Sequence, residues 1–231
     1  QSVGMAKIGK WIRLLKRWEA KNAIMVGGVQ KTIMHDPLRF FRVIPDTKGL
    51  LLWYRRLRHD KRDATVLAAI AEELLDEGIT IINSTTHIQE HLAGTGTLGI
   101  NQPNTKQEAD INFGWSLLSD ITSLHIGQSM AVREGDVIAV EAIEGTEALI
   151  KRAGNLCKRK GWTLLKTAAQ NHDTRADVPS IGSNTIAQCA KAGCRCIAVG
   201  SGRVILIDAP AVIEAADAAG IALVGVIDKC D

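Results

Sequence analysis

Residues 127–147 read GQSMAVREGDVIAVEAIEGTE, two apolar runs hinged on Glu134-Gly135-Asp136 and followed by a Gly-Thr step. Alternation through Met130 and Val132, then Val137 to Val140, predicts two antiparallel strands joined by a tight glycine turn. Glu141 and Glu144 fall just past the second strand, so an apolar hairpin ends in carboxylates. Binding and catalytic groups concentrate on the loops that a rigid scaffold holds at such strand ends.

Working outward, the pattern predicts a helix near 145–153, a strand at 162–167 and a helix at 183–192. A pair of strands around 195–207, a helix at 210–219 and a last strand at 221–226 follow. Before the hairpin, Thr105 with Glu108 matches a capping box and starts a helix of about 18 residues through Trp115. Residues 94–105, GTGTLGINQPNT, are turn formers that carry the chain between two units. Further upstream, Ile8, Trp11, Ile12, Leu15 and Trp18 recur at helical spacing, predicting an amphipathic helix over 7–19. A short strand at 22–26 ends in Gly27-Gly28; helices near 36–43, 50–58 and 63–77 follow, the last closed by Gly78, and then a strand at 79–82.

The expected architecture is therefore α/β, with two α/β domains. Residues 1–100 form an N-terminal Rossmann-like layer that begins without the usual first strand and glycine turn. Residues 101–124 form a connecting helix, and 125–231 a mixed-sheet C-terminal catalytic domain.

Composition narrows the function. The 231 residues are 46% hydrophobic and 23% charged, which suits packed cores rather than disorder. No apolar run approaches the roughly 20 residues that span a bilayer, and no signal-peptide pattern opens the chain, so a soluble protein is expected. Five cysteines, odd in number and without a CxxC pair, point to a reducing cytoplasm rather than a disulfide framework or zinc ribbon. The net charge of +3 hides an asymmetry: residues 1–62 hold 15 Lys+Arg against 4 Asp+Glu. The same segment carries six of the nine aromatics, Trp11, Trp18, Phe40, Phe41, Trp53 and Tyr54. Such a mixture suits anionic lipid or nucleic acid, and the plainer reading is a solvated basic face over a packed core.

Three motif matches are weak. Gly94 to Gly99 satisfies GxGxxG, but a dinucleotide fingerprint must follow a strand and open a helix, and this one runs into a Pro-Asn loop. His87-Ile88-Gln89-Glu90-His91 matches the HxxEH of inverted zinc peptidases, yet nothing distinctive downstream supplies the third ligand, so solvated histidines are expected. Cys194-Arg195-Cys196 reads as a strand start.

RADVPSIG at 175–182 is stronger. Arg175 and Asp177 project to one side of an extended segment held by Pro179, and Ser183 or Asn184 then caps a helix whose free N–H groups attract phosphate. An exposed ion pair in a turn is the simpler alternative.

These residues, read in order, carry a likeness. The 127–154 run, a strand ending in Lys166, RADVPSIGSNTI, the Gly202-Arg203 turn and the terminal AGIALVGV together resemble the UDP-2,3-diacylglucosamine pyrophosphatase family known as LpxI. The resemblance runs from about Lys10, including Gly27 to Val29, to the C-terminus. It implies hydrolysis of UDP-2,3-diacylglucosamine to UMP and 2,3-diacylglucosamine 1-phosphate (lipid X), an early lipid A step, with Mg²⁺ as divalent metal. It also implies two α/β domains holding the diacylated sugar between them, and a catalytic acid at Asp177, the aspartate of the family's R-x-D-x-P motif. The family usually has Asp where this chain has His125 and Glu147, and about 60 to 80 residues that usually open its N-terminal domain do not precede Gln1.

Phosphoanhydride cleavage requires neutralising charge on phosphoryl oxygens and placing a water in line. Mg²⁺ takes one or two carboxylates beside waters and phosphate, so Asp177 with Glu141 or Glu144 would suffice, and Asp177 as base toward water stays open. Lys166 and Arg175 would clamp phosphate oxygens, and Gln128 and Thr146 would hydrogen-bond phosphate or sugar. The expected location is cytoplasmic, peripheral on the inner membrane, with room for a homodimer. The acids of the presumed site argue against nucleic acid, whose backbone they would repel. The competing reading is a nucleotide-sugar or lipid-binding relative without turnover.

Overall fold

The computed structural model describes residues 3–4, 6–26, 44–57, 63–170, 175 and 178–228. The chain divides into two compact units, residues 1–87 with 173–177 and residues 88–172 with 178–231. The expected helix near 36–43, Gly27 to Val29 and Asp177 lie outside the described residues.

In the first unit, α1 (Ile8–Arg17) turns Ile8 and Ile12 inward against Leu52, Ile70, Leu74, Ile79 and Ile81. Its basic residues Lys10, Arg13, Lys16 and Arg17 face solvent, as the heptad-like spacing requires. Strands β1 (Asn22–Ala23) and β2 (Thr80–Ile81) pair in parallel, shorter than the runs at 22–26 and 79–82 promised. Between them lie α2 (Thr47–Leu52), a π-helical turn (Trp53–Leu57) and α3 (Asp63–Asp76). One carboxylate caps two helices: Asp46 accepts from Gly49 N–H of α2 at 2.9 Å and from Lys10 N–H of α1 at 3.0 Å. Burial opposes its charge, but these N–H bonds outweigh that and hold its pKa below the usual value.

The second unit is built on a mixed six-stranded sheet, ordered β3-β10-β8-β6-β4-β5. Its centre is parallel: β6 (Trp162–Lys166), β8 (Cys194–Gly200) and β10 (Ala222–Val226). Antiparallel strands flank it, with β3 (Gly96–Thr97) on one side and the hairpin β4 (Ser129–Arg133) and β5 (Asp136–Val140) on the other. Glu134 and Gly135 both take positive φ, 51° and 73°, the type I′ geometry that matches strand twist.

The central strands are buried on both faces and so read as continuous apolar runs. One face packs under α5 (Thr146–Leu156), α6 (Ser183–Ala192) and α7 (Ala209–Ala218), around Trp162, Leu164, Ile197, Val199 and Leu223. The other packs under α4 (Thr105–Ser123) through Ile111, Trp115 and Leu118 against Met130, Leu165 and Ala198. Gly114 lets α4 approach closely, since a Cβ there would lie 2.5 Å from Leu165 Cδ1.

Several expectations need correction in register. The capping box sits one residue earlier, with Asn104 Oδ1 accepting from Gln107 N–H at 3.0 Å and Gln107 Oε1 from Asn104 N–H at 2.9 Å. Residues 96–97, read as part of a turn-rich link, form the edge strand β3, and α4 covers the sheet of this unit. The strands expected around 195–207 do not pair with each other; β9 (Ile205–Leu206) pairs with β7 (Ser180–Ile181) in a separate two-stranded sheet. The cap of α6 is Gly182, not Ser183 or Asn184. No helix among the described residues is long and apolar enough to cross a membrane.

Candidate functional site

Parallel strands β6, β8 and β10 all end at one edge of the sheet, where open α/β folds bind ligands. Antiparallel pairing brings the start of β4 and the end of β5 to the same edge: Ser129 is registered against Lys166, and Glu141 N–H donates to Ser129 O at 2.9 Å. Lys166 follows Leu164 on the inward face, so the strand's own period turns an ammonium group into a protein interior. It is only 4% exposed.

Buried charge demands partners. Lys166 Nζ donates to Thr146 Oγ1 at 2.7 Å and to Ser129 Oγ at 3.2 Å. Thr146 Oγ1 donates to Glu141 Oε1 at 3.0 Å and lies 3.4 Å from Ser129 Oγ. Glu141 is itself buried, 8% exposed, and its second oxygen, Oε2, is buried without a hydrogen-bond partner among the described residues. A buried carboxylate oxygen left bare is the kind of group that a cation completes.

Thr146 is the first residue of α5, whose N-cap Gly145 has φ 83° and carries no side chain to cap the helix. The cap of α6, Gly182, is likewise bare. Both N-termini thus present first-turn N–H groups and the positive end of a helix dipole. Gly127 fits because there is no room for a side chain: a Cβ would stand 2.0 Å from Glu141 O.

The residues predicted from sequence divide accordingly. Glu141, Thr146 and Lys166 come together, and Gln128 borders them, its carbonyl accepting from Thr167 N–H at 3.0 Å. Glu144 is committed elsewhere, with Arg152 Nη2 at 2.9 Å from Oε1 and Ala142 N–H donating to Oε2 at 3.1 Å. Arg175 is exposed, and Asp177 lies outside the described residues. Ser129, fully buried, was missed by the sequence reading, because the alternation through Met130 and Val132 sets it on the other face and β4 is buried on both.

Among the described residues no three His, Cys, Asp or Glu side chains gather to hold a metal. Mg²⁺ needs fewer, one or two carboxylates beside water and phosphate oxygens, and Glu141 Oε2 is a free hard-oxygen donor. The residues fit Mg²⁺ as a partner of Glu141; Glu144, whose Oε1 also lacks a hydrogen bond among the described residues, is already ion-paired to Arg152.

Beside this site, Asp228 after β10 ties the same edge together. Arg203 Nη2 lies 2.5 Å from Asp228 Oδ1, Trp115 Nε1 donates to it at 2.7 Å, and Gln170 Nε2 donates to Oδ2 at 3.0 Å. Arg203, helped by Trp115 and Gln170 against the cost of burial, holds the Asp228 carboxyl down at about 2.

The weak motifs find structural roles. His87 lies in a turn and His91 in the short 3-10 segment Gln89–His91, so the α-helical geometry of HxxEH is absent there. Residues 94–99 open no helix. A bulge at Arg195 sets Cys194 and Cys196 into opposite cores, where they cannot chelate together. Burial pushes the Cys196 thiol up.

Comparison with known proteins agrees along the whole chain. The model of the LpxI N-terminal domain matches residues 1–91, and that of the LpxI C-terminal domain matches residues 94–224. The UDP-2,3-diacylglucosamine pyrophosphatase LpxI of Caulobacter vibrioides is 32% identical over 232 aligned residues, covering 97% of this chain and 81% of that protein.

Proposed function

The chain belongs to the LpxI family, and from that premise we propose that it hydrolyses the pyrophosphate of UDP-2,3-diacylglucosamine, giving UMP and lipid X. The observation that carries the reading is the buried Lys166 ammonium, set beside Glu141 at the carboxyl edge of the parallel strands.

Water adds to one phosphorus and releases a proton to solvent, the bridging P–O bond breaks, and negative charge collects on the departing phosphate. Lys166 neutralises charge on phosphoryl oxygens, and its low exposure makes that attraction stronger than the same contact in water. First-turn N–H groups of α5 receive a phosphate oxygen beside it. Glu141 is a proposed holder of Mg²⁺, which when bound would supply Lewis-acid neutralisation of the pyrophosphate. Asp177, with Arg175 beside it in sequence, is the proposed catalytic acid.

The proposed place of action is the cytoplasmic face of the inner membrane, held there by the first unit. Trp18 is 60% exposed, Trp53 43% and Tyr54 60%, and the exposed cations Lys10, Arg13, Arg17, Arg55 and Arg56 accompany them. Amphipathic aromatics with basic neighbours suit an anionic lipid surface.

The deciding experiment is UMP release from UDP-2,3-diacylglucosamine with Mg²⁺ and with EDTA. Turnover lost on chelation and in Asp177→Ala, with substrate binding retained, is the expected result. Binding without UMP in the wild type would leave a nucleotide-sugar or lipid-binding protein and refute the proposal.

A further inference from the structure

We propose that Thr146 and Ser129 are positioning residues of this reaction, whose hydroxyls hold Lys166 and Glu141 in mutual register and make no contact with substrate. The inference rests on the function proposed above and concerns the hydroxyl pair between its two charged groups.

Proton directions follow from the donors available. An ammonium only donates, so Lys166 gives protons to Thr146 Oγ1 at 2.7 Å and to Ser129 Oγ at 3.2 Å. A carboxylate only accepts, so the single Thr146 proton goes to Glu141 Oε1 at 3.0 Å. Ser129 and Thr146 oxygens stand 3.4 Å apart, and with the Thr146 proton already spent, Ser129 is the donor between them. Each of these hydrogen bonds then has one direction. The Thr146 hydroxyl uses its proton and both lone pairs inside the protein, and Ser129 is fully buried, which leaves neither hydroxyl for a phosphate or a sugar.

This closure has two effects. A lysine has four rotatable side-chain bonds, and two fixed acceptors hold Nζ where it must stand, so the ordering cost is met on folding rather than on the reaction coordinate. Glu141 has one oxygen occupied by Thr146 and the other bare, so the hydroxyl decides which oxygen is left for a cation.

The test uses the full chain with Mg²⁺ and four variants. Thr146→Val keeps the shape and removes the hydroxyl; Thr146→Ser keeps the hydroxyl; Ser129→Ala removes the second acceptor; Lys166→Met removes the charge. Hydrogen bonds to charged groups predict a fall in kcat of roughly 10- to 100-fold for Thr146→Val with KM within about 3-fold, and recovery in Thr146→Ser. A second readout needs neither metal nor substrate: the Lys166 ammonium signal in ¹H–¹⁵N correlation spectra, assigned by its absence from Lys166→Met. It should persist in wild type and Thr146→Ser and vanish through fast exchange in Thr146→Val.

Unchanged kcat in Thr146→Val, a change in KM alone, or a Thr146→Ser as poor as Thr146→Val would overturn the inference. If Thr146→Val fails to fold, Ser129→Ala decides by the same two readouts. Lys166→Met separates the levels: wild-type turnover in it removes the reaction from this site altogether. An inactive Lys166→Met beside a fully active Thr146→Val refutes only the positioning role.

Discussion

Replacing Asp228 with Asn should destabilise the second unit in a pH-dependent way whose size follows from the Arg203 pair. The Asp228 carboxyl titrates at about 2 rather than the ordinary 3.8. At ~1.4 kcal/mol per pH unit, that difference is on the order of 2 kcal/mol of native stability. The side chains of Arg203 and Asp228 are 20% and 15% exposed, so solvent screens the pair only in part. The sign is that of a depressed acid: the stabilisation is complete above the unfolded-state pKa and disappears as pH falls through the folded one. It should be whole at pH 6, about half remaining near pH 3, and gone below pH 2. Asn keeps the shape and an oxygen for Trp115 Nε1, and so stands in for the protonated acid. Because two-unit chains commonly depart from two-state unfolding, the measurement is amide exchange in β8 and β10 peptides, wild type against Asp228→Asn at each pH. At pH 6 the variant should exchange roughly 30-fold faster in that edge, with the gap narrowing severalfold at pH 3. An equal gap at both pH values would refute the ion-pair account and leave only packing.

Gly127→Ala forces a methyl group against the Glu141 carbonyl, a backbone atom that cannot swing away, so a loss of about 2 kcal/mol in thermal unfolding should accompany loss of UMP release. Trp162→Ala should cost about 3 to 5 kcal/mol in urea unfolding of the second unit, because the indole is fully buried and its Nε1 bonds Ala192 O at 3.1 Å. Glu141→Gln should raise the Mg²⁺ concentration for half-maximal activity by about 10-fold or more, read by titrating metal in the UMP assay. Trp18→Ser with Trp53→Ser should weaken cosedimentation with anionic vesicles at low salt by about 10-fold, and equal retention by neutral vesicles would refute the basic-aromatic surface.

Periodicity carried much of the second unit. Val132 to Val140 around Glu134-Gly135 announced the hairpin, and the helix over 183–192 matches α6 at both ends. Those elements depend on local alternation and turn chemistry, which the chain states directly. Partner choice was less legible. Nothing local distinguishes β8–β9 from β7–β9, because pairing of distant strands is decided by where α6 and the turn at Gly202 carry the chain. Asn104 and Thr105 are comparable caps, and the capping box fell to the earlier residue.

At the site, Lys166 and Glu141 were visible as charged residues ending apolar strands, whereas Ser129, alternating with Met130 and Val132, was missed. What the chain could not display was competition for them. Glu144 resembles Glu141 in type and place, yet Arg152 and the Ala142 N–H occupy it, a contact between a helix and a loop that no spacing encodes.

The family, the α/β class and the acidic hairpin were determined by sequence alone, since long ordered motifs and residue periods survive without coordinates. Only the tertiary structure decided that Lys166 is buried, that Thr146 and Ser129 hold it, and that Glu141 joins this network through Thr146 while Glu144 pairs with Arg152. The physical reason is that hydrogen-bond satisfaction belongs to neighbours in space: 37 residues separate Ser129 from Lys166 along the chain, and the antiparallel register of β4 on β6 brings them side by side.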